Sequence, residues 1–359
     1  MHLSTAALAD TLLGRTIGET PTDIWNDSCN VDELRYAVDF GAVGATANPT
    51  IVVDNWRTDP DRWAGRVHAL AAAHPTWSER DLAWGIVAEM SAAAAPLLLP
   101  AFTASGGRAG RLSIQTDPTL HRDAAAMVDQ AAGFVALAPN VIVKFPATAA
   151  GIEAMEEASY RGISVNATVS FSVAQAVAAA EAVERGLVRR EAEGRATDDM
   201  GPVITIMMGR LEDWLRETVD REGLTVHPAA LPWSGVAVFK RAYWLWGERR
   251  FRARLLGAAI RHHLHWSELI GGDVVITLPS AWQKRFNASS VEVRSRIGNP
   301  VDADTLQELA TLPDFRAAYE PDGLRVADFD GWGPTRRTLR AFTASYHDLL
   351  HLVGEALLA

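Results

Sequence analysis

Val141-Ile142-Val143-Lys144-Phe145-Pro146 sets five apolar residues around one lysine in a run too short for a helix. β-Branched and aromatic side chains ending at a proline read as a strand, and a strand apolar on both faces belongs to a parallel sheet covered on both sides. Lysine is among the side chains least often buried. Lys144 therefore either sits near the strand end and reaches water along its stem, or is kept from water as a nucleophile.

Working outward, seven similar runs occupy residues 23–27, 42–46, 111–116, 163–168, 203–208, 236–239 and 274–278. Most are followed by Pro, Gly, Ser, Asn or Asp and then by a stretch of helical period. Eight β-then-α units without a Gly-rich dinucleotide turn predict a (β/α)8 barrel, an α/β TIM-type fold, rather than an open nucleotide-binding sheet. The Gly-rich segment 105–110 precedes a strand and reads as a turn, not a phosphate loop. Extra helices are expected after the second strand, around 62–73 and 79–95, and a loop-rich excursion follows the last strand over 280–335 with Pro300, Pro313 and Pro321. A final helix over 335–358 carries Leu339, Phe342, Tyr346, Leu349, Leu350, Val353 and Leu357 as one apolar stripe. It is expected to pack back across the barrel. With no internal repeat, residues 1–359 read as a single domain.

Among 359 residues, Lys+Arg 34 against Asp+Glu 44 leaves a formal net charge of −10. An acidic chain is poorly made for the phosphate backbone, so no nucleic-acid partner is expected. One cysteine, Cys29, excludes an internal disulfide and a multi-cysteine metal site. It points to a reducing, cytoplasmic setting. The first ten residues lack a basic segment and Asp10 interrupts their apolar run, which is not a signal-peptide pattern. The most apolar run, 92–102, is broken by Pro96 and Pro100, so no membrane span is expected. Twelve scattered tryptophans read as core and interface filling and would suit a homodimer.

Reacting groups in such a barrel lie where strands end and βα loops begin. Asp27 ends the first run. On that segment alone it reads first as a helix cap, in competition with Ser28 and Asn30, and otherwise as a general acid/base. Thr46 and Asn48, Gln115, and Asn166 and Thr168 end three other strands, where each could simply satisfy a turn. Their convergence with a lysine and an aspartate suits the orientation of a hydroxylated substrate and a water around an amine. Arg210 follows the sixth run and Lys240 the seventh, where barrels commonly bind phosphate, although solvated ion pairs would look the same. His262, His263 and His265 lack a zinc-peptidase spacing and read as a helix surface.

These residues bring out a family likeness. The chain resembles transaldolase through Asp27-Ser28, Gly44-Ala45-Thr46-Ala47-Asn48-Pro49-Thr50 and Leu112-Ser113-Ile114-Gln115-Thr116-Asp117-Pro118. The likeness continues through Asn140 to Thr148 and through Gly162-Ile163-Ser164-Val165-Asn166-Ala167-Thr168, with Gly209-Arg210 adding to it. It covers most barrel strands in order, but not the excursion after the last one.

The resemblance implies transfer of a three-carbon dihydroxyacetone unit between sugar phosphates, as in the pentose phosphate pathway. By that likeness Lys144 forms a Schiff base with a ketose phosphate and Asp27 is the general acid/base. Thr46, Asn48 and Asn166 lie at substrate hydroxyls, Thr168 positions a catalytic water, Thr205 sits at the donor and Arg210 binds the phosphate. Lysine and water do the work, so no cofactor and no metal are implied. The chain departs from the family at three positions. Gln115 stands where most transaldolases have Glu beside the water, an amide that holds water but does not titrate. Fructose-6-phosphate aldolases of the same superfamily share that Gln, which keeps a lyase releasing the three-carbon product as an alternative, beside a non-catalytic sugar-phosphate-binding barrel. Thr205 replaces a serine, and Lys240 is matched to a second phosphate-site arginine, keeping the charge without the bidentate fork.

Overall fold

A computed structural model describes residues 10–359. Apart from Asp10, the amino-terminal stretch screened for a signal-peptide pattern lies outside the described residues. The chain runs α1 (Leu12–Glu19), β1 (Asp23–Asn26), α2 (Val31–Asp39), β2 (Gly44–Thr46), α3 (Pro49–Thr58), α4 (Pro60–Ala73) and α5 (Glu79–Ala104). Next come β3 (Arg111–Gln115), α6 (Ala124–Val135), β4 (Val141–Pro146), α7 (Ala149–Arg161), β5 (Val165–Thr168) and α8 (Val173–Ala192). Then follow β6 (Val203–Met207), α9 (Met208–Glu222), α10 (Ser234–Arg249), β7 (Arg254–Ala258), α11 (Leu264–Ser267) and β8 (Val275–Leu278). The last helices are α12 (Ser280–Asn287), α13 (Ala303–Leu309), α14 (Pro313–Tyr319) and α15 (Gly333–Leu358).

The eight strands close into a parallel barrel in sequence order, β8 returning to β1 through Asp23–Val275 to Asn26–Leu278. Strand alternation divides the side chains between barrel interior and helix layer. Trp25, Ile142, Val203, Leu256, Ala258 and Val275 form one apolar cluster, separate from the larger core under the helices. This cluster fills the barrel's interior. Residues two positions further along share that face, which brings Asp27, Lys144, Thr205 and Thr277 to the mouth above it. Gly44 makes room for the filling: a Cβ there would stand 2.4 Å from the Trp25 ring.

Two expectations are corrected. Residues 236–239 are not a strand but lie within α10, and the seventh strand is Arg254–Ala258. A short β-branched run buried all round cannot be told from a buried helical turn by periodicity. The true strand reads Arg-Leu-Leu-Gly-Ala, with little β propensity. Its glycine answers to packing, since a Cβ on Gly257 would lie 2.9 Å from both Leu269 and Met208.

Second, α5 does not stop near residue 95 but continues through Pro96 and Pro100 to Ala104. Both prolines sit on the exposed side of the helix, four residues apart, where the carbonyls they leave unpaired meet water. The other side buries Ala94, Ala95 and Leu98. By length and composition alone α5 could cross a membrane, yet 50% of its most apolar window is buried inside the fold.

α15 buries Leu339, Phe342, Tyr346, Leu349 and Val353, as its stripe predicts. It packs on α3, α4 and α5, the helices inserted after β2, and reaches α9 as well.

Candidate active site at the barrel mouth

Lys144 follows Ile142 on the inward row of β4 and is buried, at 6% exposed. Its Nζ donates to the carbonyl of Ala47 at 3.4 Å. Burial lowers its pKa to about 8, against the opposing pull of the Asp27 carboxylate. A neutral amine is thereby within reach near physiological pH.

Asp27 follows β1 and does not cap α2. Asn30 takes that role, its side chain accepting from the amides of Asp32 and Glu33 at 3.0 and 3.2 Å. Freed from capping, the Asp27 carboxylate accepts a short hydrogen bond from the Thr46 hydroxyl. The Thr277 hydroxyl lies 3.0 Å from that of Thr46. Because Thr46 spends its proton on Asp27, Thr277 donates to Thr46 in turn, which sets the orientation of the chain.

A cavity of about 130 Å³ joins Asp27, Asn48, Lys144, Thr168, Thr205 and Arg210. Asn48 caps α3, its Oδ1 accepting from the Ile51 amide at 3.0 Å, so its amide protons remain for the cavity. Among the described residues the Thr168 hydroxyl has only the Met207 thioether as partner, at 3.8 Å, and is left to hold a stronger one. Phe342 closes one wall, with the Arg210 guanidinium 5.0 Å from its ring centroid. Among the described residues Arg210 makes no ion pair. Burial and the nearby Arg261 hold its pKa down, a sign of positive charge lacking full compensation. Arg210 lies in the first turn of α9, whose leading amides have no side-chain cap among the described residues.

The other expected residues lie elsewhere. Asn166 is fully buried behind the cavity, donating to Ser113 Oγ at 2.9 Å and accepting from Thr205 at 2.7 Å. It thus fixes Thr205 rather than lining the space beside Lys144. Gln115 pairs with Lys144 in register but lines a separate chamber of about 10 Å³ with Trp84 and Tyr346. Among the described residues its amide oxygen is buried without a hydrogen-bond partner. Lys240 sits inside α10, not at a strand end. Its ammonium is buried against Glu268 at 2.8 Å and the carbonyls of Arg296 and Asn299 at 2.9 and 3.0 Å.

The cation that does reach the cavity from β7 is Arg261, three residues past the strand, with Asp213 2.7 Å from its guanidinium. A strand at 236–239 would point to Lys240 in its stead. The true strand ends in Gly257-Ala258 and is followed by an arginine, much as Gly209-Arg210 follows β6. Of the three histidines expected on a helix surface, His263 is exposed, but His262 is mostly buried and His265 fully so. Cys29 is a core residue whose thiol burial pushes up to about 11. A larger hollow of about 530 Å³ lies beside Trp244 and Arg254, at the opposite end of β7, and contains no lysine.

A family model described as transaldolase/fructose-6-phosphate aldolase matches residues 24–327. The match spans all eight strands and leaves α15, with Phe342 and Tyr346, outside it. A transaldolase of Neisseria gonorrhoeae is 30% identical over 330 residues, covering 80% of this chain and 90% of its own. Transaldolase 2 of Streptomyces avermitilis is 28% identical over 332 residues, 86% of each chain. A transaldolase of Thiobacillus denitrificans is 32% identical over 197 residues, and there the chain spans about half of its relative, 54%.

Proposed function

The chain belongs to the transaldolase/fructose-6-phosphate aldolase family, and from that premise we propose a transaldolase-type transferase acting on sugar phosphates through a Schiff base on Lys144. The observation that carries this reading is the buried Lys144 amine, lowered to about 8, in one cavity with Asp27 and two arginines. The neutral amine attacks the donor ketone and the carbinolamine loses water, giving the imine. Asp27, aimed by Thr46, removes the proton from the hydroxyl on the carbon beyond the bond to be broken. That bond then cleaves: its electron pair passes to the protonated imine, leaving an enamine on Lys144 and releasing an aldehyde. The enamine adds to an acceptor aldehyde, Asp27 returns the proton and water frees the ketose product.

Asn48 and Thr205 hold substrate hydroxyls, and Thr168 holds the water. Arg210, Arg261 and the leading amides of α9 hold the anionic end. Arg261 thus takes the part expected of Lys240. Lysine, aspartate and water balance every step, so the reaction as written calls on no cofactor or metal. We place the protein in the cytoplasm, in pentose phosphate metabolism, as one barrel unit.

A second reading, a lyase that releases the three-carbon product, is favoured by Gln115, which cannot titrate beside Lys144. Donor consumption with and without erythrose 4-phosphate separates the two. Transfer requires consumption of fructose 6-phosphate to depend on the acceptor and to yield a seven-carbon ketose phosphate. Free dihydroxyacetone formed at the same rate without acceptor would establish the lyase instead.

A further inference from the structure

The loop after β7 is held in place by a buried group that the reaction does not touch. The Arg261 backbone N–H donates to His265 Nδ1 at 3.2 Å. His265 is fully buried. Because Nδ1 accepts, the ring proton of the neutral imidazole is on Nε2. Nε2 lies 3.5 Å from Glu212 Oε2 without a hydrogen bond among the described residues, and the ring packs against that of His262, centroids 4.0 Å apart. Glu212 is buried on α9 and is pinned in turn by His262 Nε2 at 2.7 Å and Arg216 at 2.6 Å.

Arg261 is therefore held twice. Asp213 of α9 holds its guanidinium, and the buried His265 ring holds its backbone N–H. Gly209, also on α9, forms the floor. A Cβ there would lie 1.9 Å from the Ala259 carbonyl and 2.7 Å from Arg261 Cγ. Ala259 itself has φ +62°, the left-handed region unfavourable to an alanine. A loop in that conformation persists only where its surroundings over-determine it.

We propose that His265 is a positioning residue: by accepting the Arg261 N–H from a fully buried ring packed on His262, it holds the Arg261 guanidinium at the cavity and sets affinity for the anionic end of the substrate. The inference rests on the reading of Arg261 as an anion-binding residue. A divalent cation is the competing use of this cluster, since ligand atoms of Glu212, His262 and His265 all lie within 4.8 Å of one another. Ligation through His265 Nε2 would move the ring proton to Nδ1, where it would meet the Arg261 N–H head on. Metal-bound histidines ordinarily donate their second N–H to an acceptor. Here the second nitrogen faces a donor, which favours the hydrogen-bonded buttress.

The test compares the full-length wild type with His265→Asn, whose amide oxygen can replace Nδ1 as acceptor, and His265→Leu, which removes the acceptor. Inorganic phosphate binding is measured by calorimetry, fructose 6-phosphate kinetics by coupled assay, and folding by circular dichroism. The expected result is a loss of about tenfold or more in phosphate affinity for His265→Leu. The KM for fructose 6-phosphate rises by a similar factor with kcat changed much less, and His265→Asn recovers most of the loss. If His265→Leu does not fold, the same comparison is made with the smaller His265→Ala, which also lacks the acceptor, and the loss of affinity is expected there. A folded variant lacking the acceptor but with unaltered phosphate affinity overturns the proposal. So does stoichiometric Zn²⁺ binding by the wild type that both His265 variants lose. Phosphate binding is read without turnover, so a failure of the aldol reading shows separately, as absence of any Lys144 adduct.

Discussion

The Thr46 hydroxyl donates to the Asp27 carboxylate across the junction of β1 and β2, and Thr277 supports Thr46 from β8. Three strands thus meet on one carboxylate that no helix cap occupies. Replacing Thr46 with valine keeps the shape and removes the donor. The expected outcome is a fall in kcat of about ten- to a hundredfold, since general acid/base work depends on aim. Imine formation on Lys144 should persist, so donor remains trappable by borohydride. An unaltered kcat would remove Asp27's orientation from the account.

The rate of imine formation should follow the neutral fraction of Lys144. With burial lowering its pKa to about 8, single-turnover adduct formation rises with pH by about tenfold per unit below the inflection and levels above it. A rate independent of pH between 6 and 8 would contradict the burial argument.

The same burial costs stability. A lysine whose pKa is lowered on folding leaves the unfolded chain binding the extra proton, so stability rises with pH between about 8 and the ordinary value of 10.5. Lys144→Met removes both the cost and that rise. At pH 7 the variant should be more stable by on the order of 1–3 kcal/mol. Thermal melts across pH check this, and a destabilised variant would mean that the ammonium is well solvated.

Arg261 and Lys240 should part company on mutation. Arg261→Ala removes a charge-assisted contact worth about 1.5–3 kcal/mol, raising the KM for a phosphorylated donor by roughly ten- to a hundredfold while the fold stays intact. Lys240→Ala strands Glu268 and two buried carbonyls. It should cost about 3–5 kcal/mol of stability and leave the KM of the folded fraction near wild type. The reverse pattern would restore Lys240 to the anion site.

Much of this was readable along the chain because strand alternation is rigid. Once 141–146 is a barrel strand, Ile142 inside and Lys144 at the mouth follow, and the same parity brings up Asp27 and Thr205. Parity gives the face but not the depth. Asn166 and Gln115 both pair with Lys144 in register, yet one is consumed by Ser113 and Thr205 and the other turns toward Trp84 and Tyr346. Ser113 and Thr205 come from other strands and Trp84 and Tyr346 from distant helices, so local spacing carries no trace of them. β7 is not legible in this way because its composition answers to packing rather than propensity, with Gly257 fitted between Leu269 and Met208. Without that strand neither Arg261 nor its His265 support can be placed at the mouth, and Lys240 stands out instead.

The most direct test of Schiff-base chemistry is a borohydride trap. The protein is incubated with fructose 6-phosphate, reduced and digested, and its peptides are weighed. The account predicts one stable adduct, on the peptide containing Lys144, absent from Lys144→Met. An adduct on a different lysine, or none from folded protein across a panel of ketose phosphates, would contradict it.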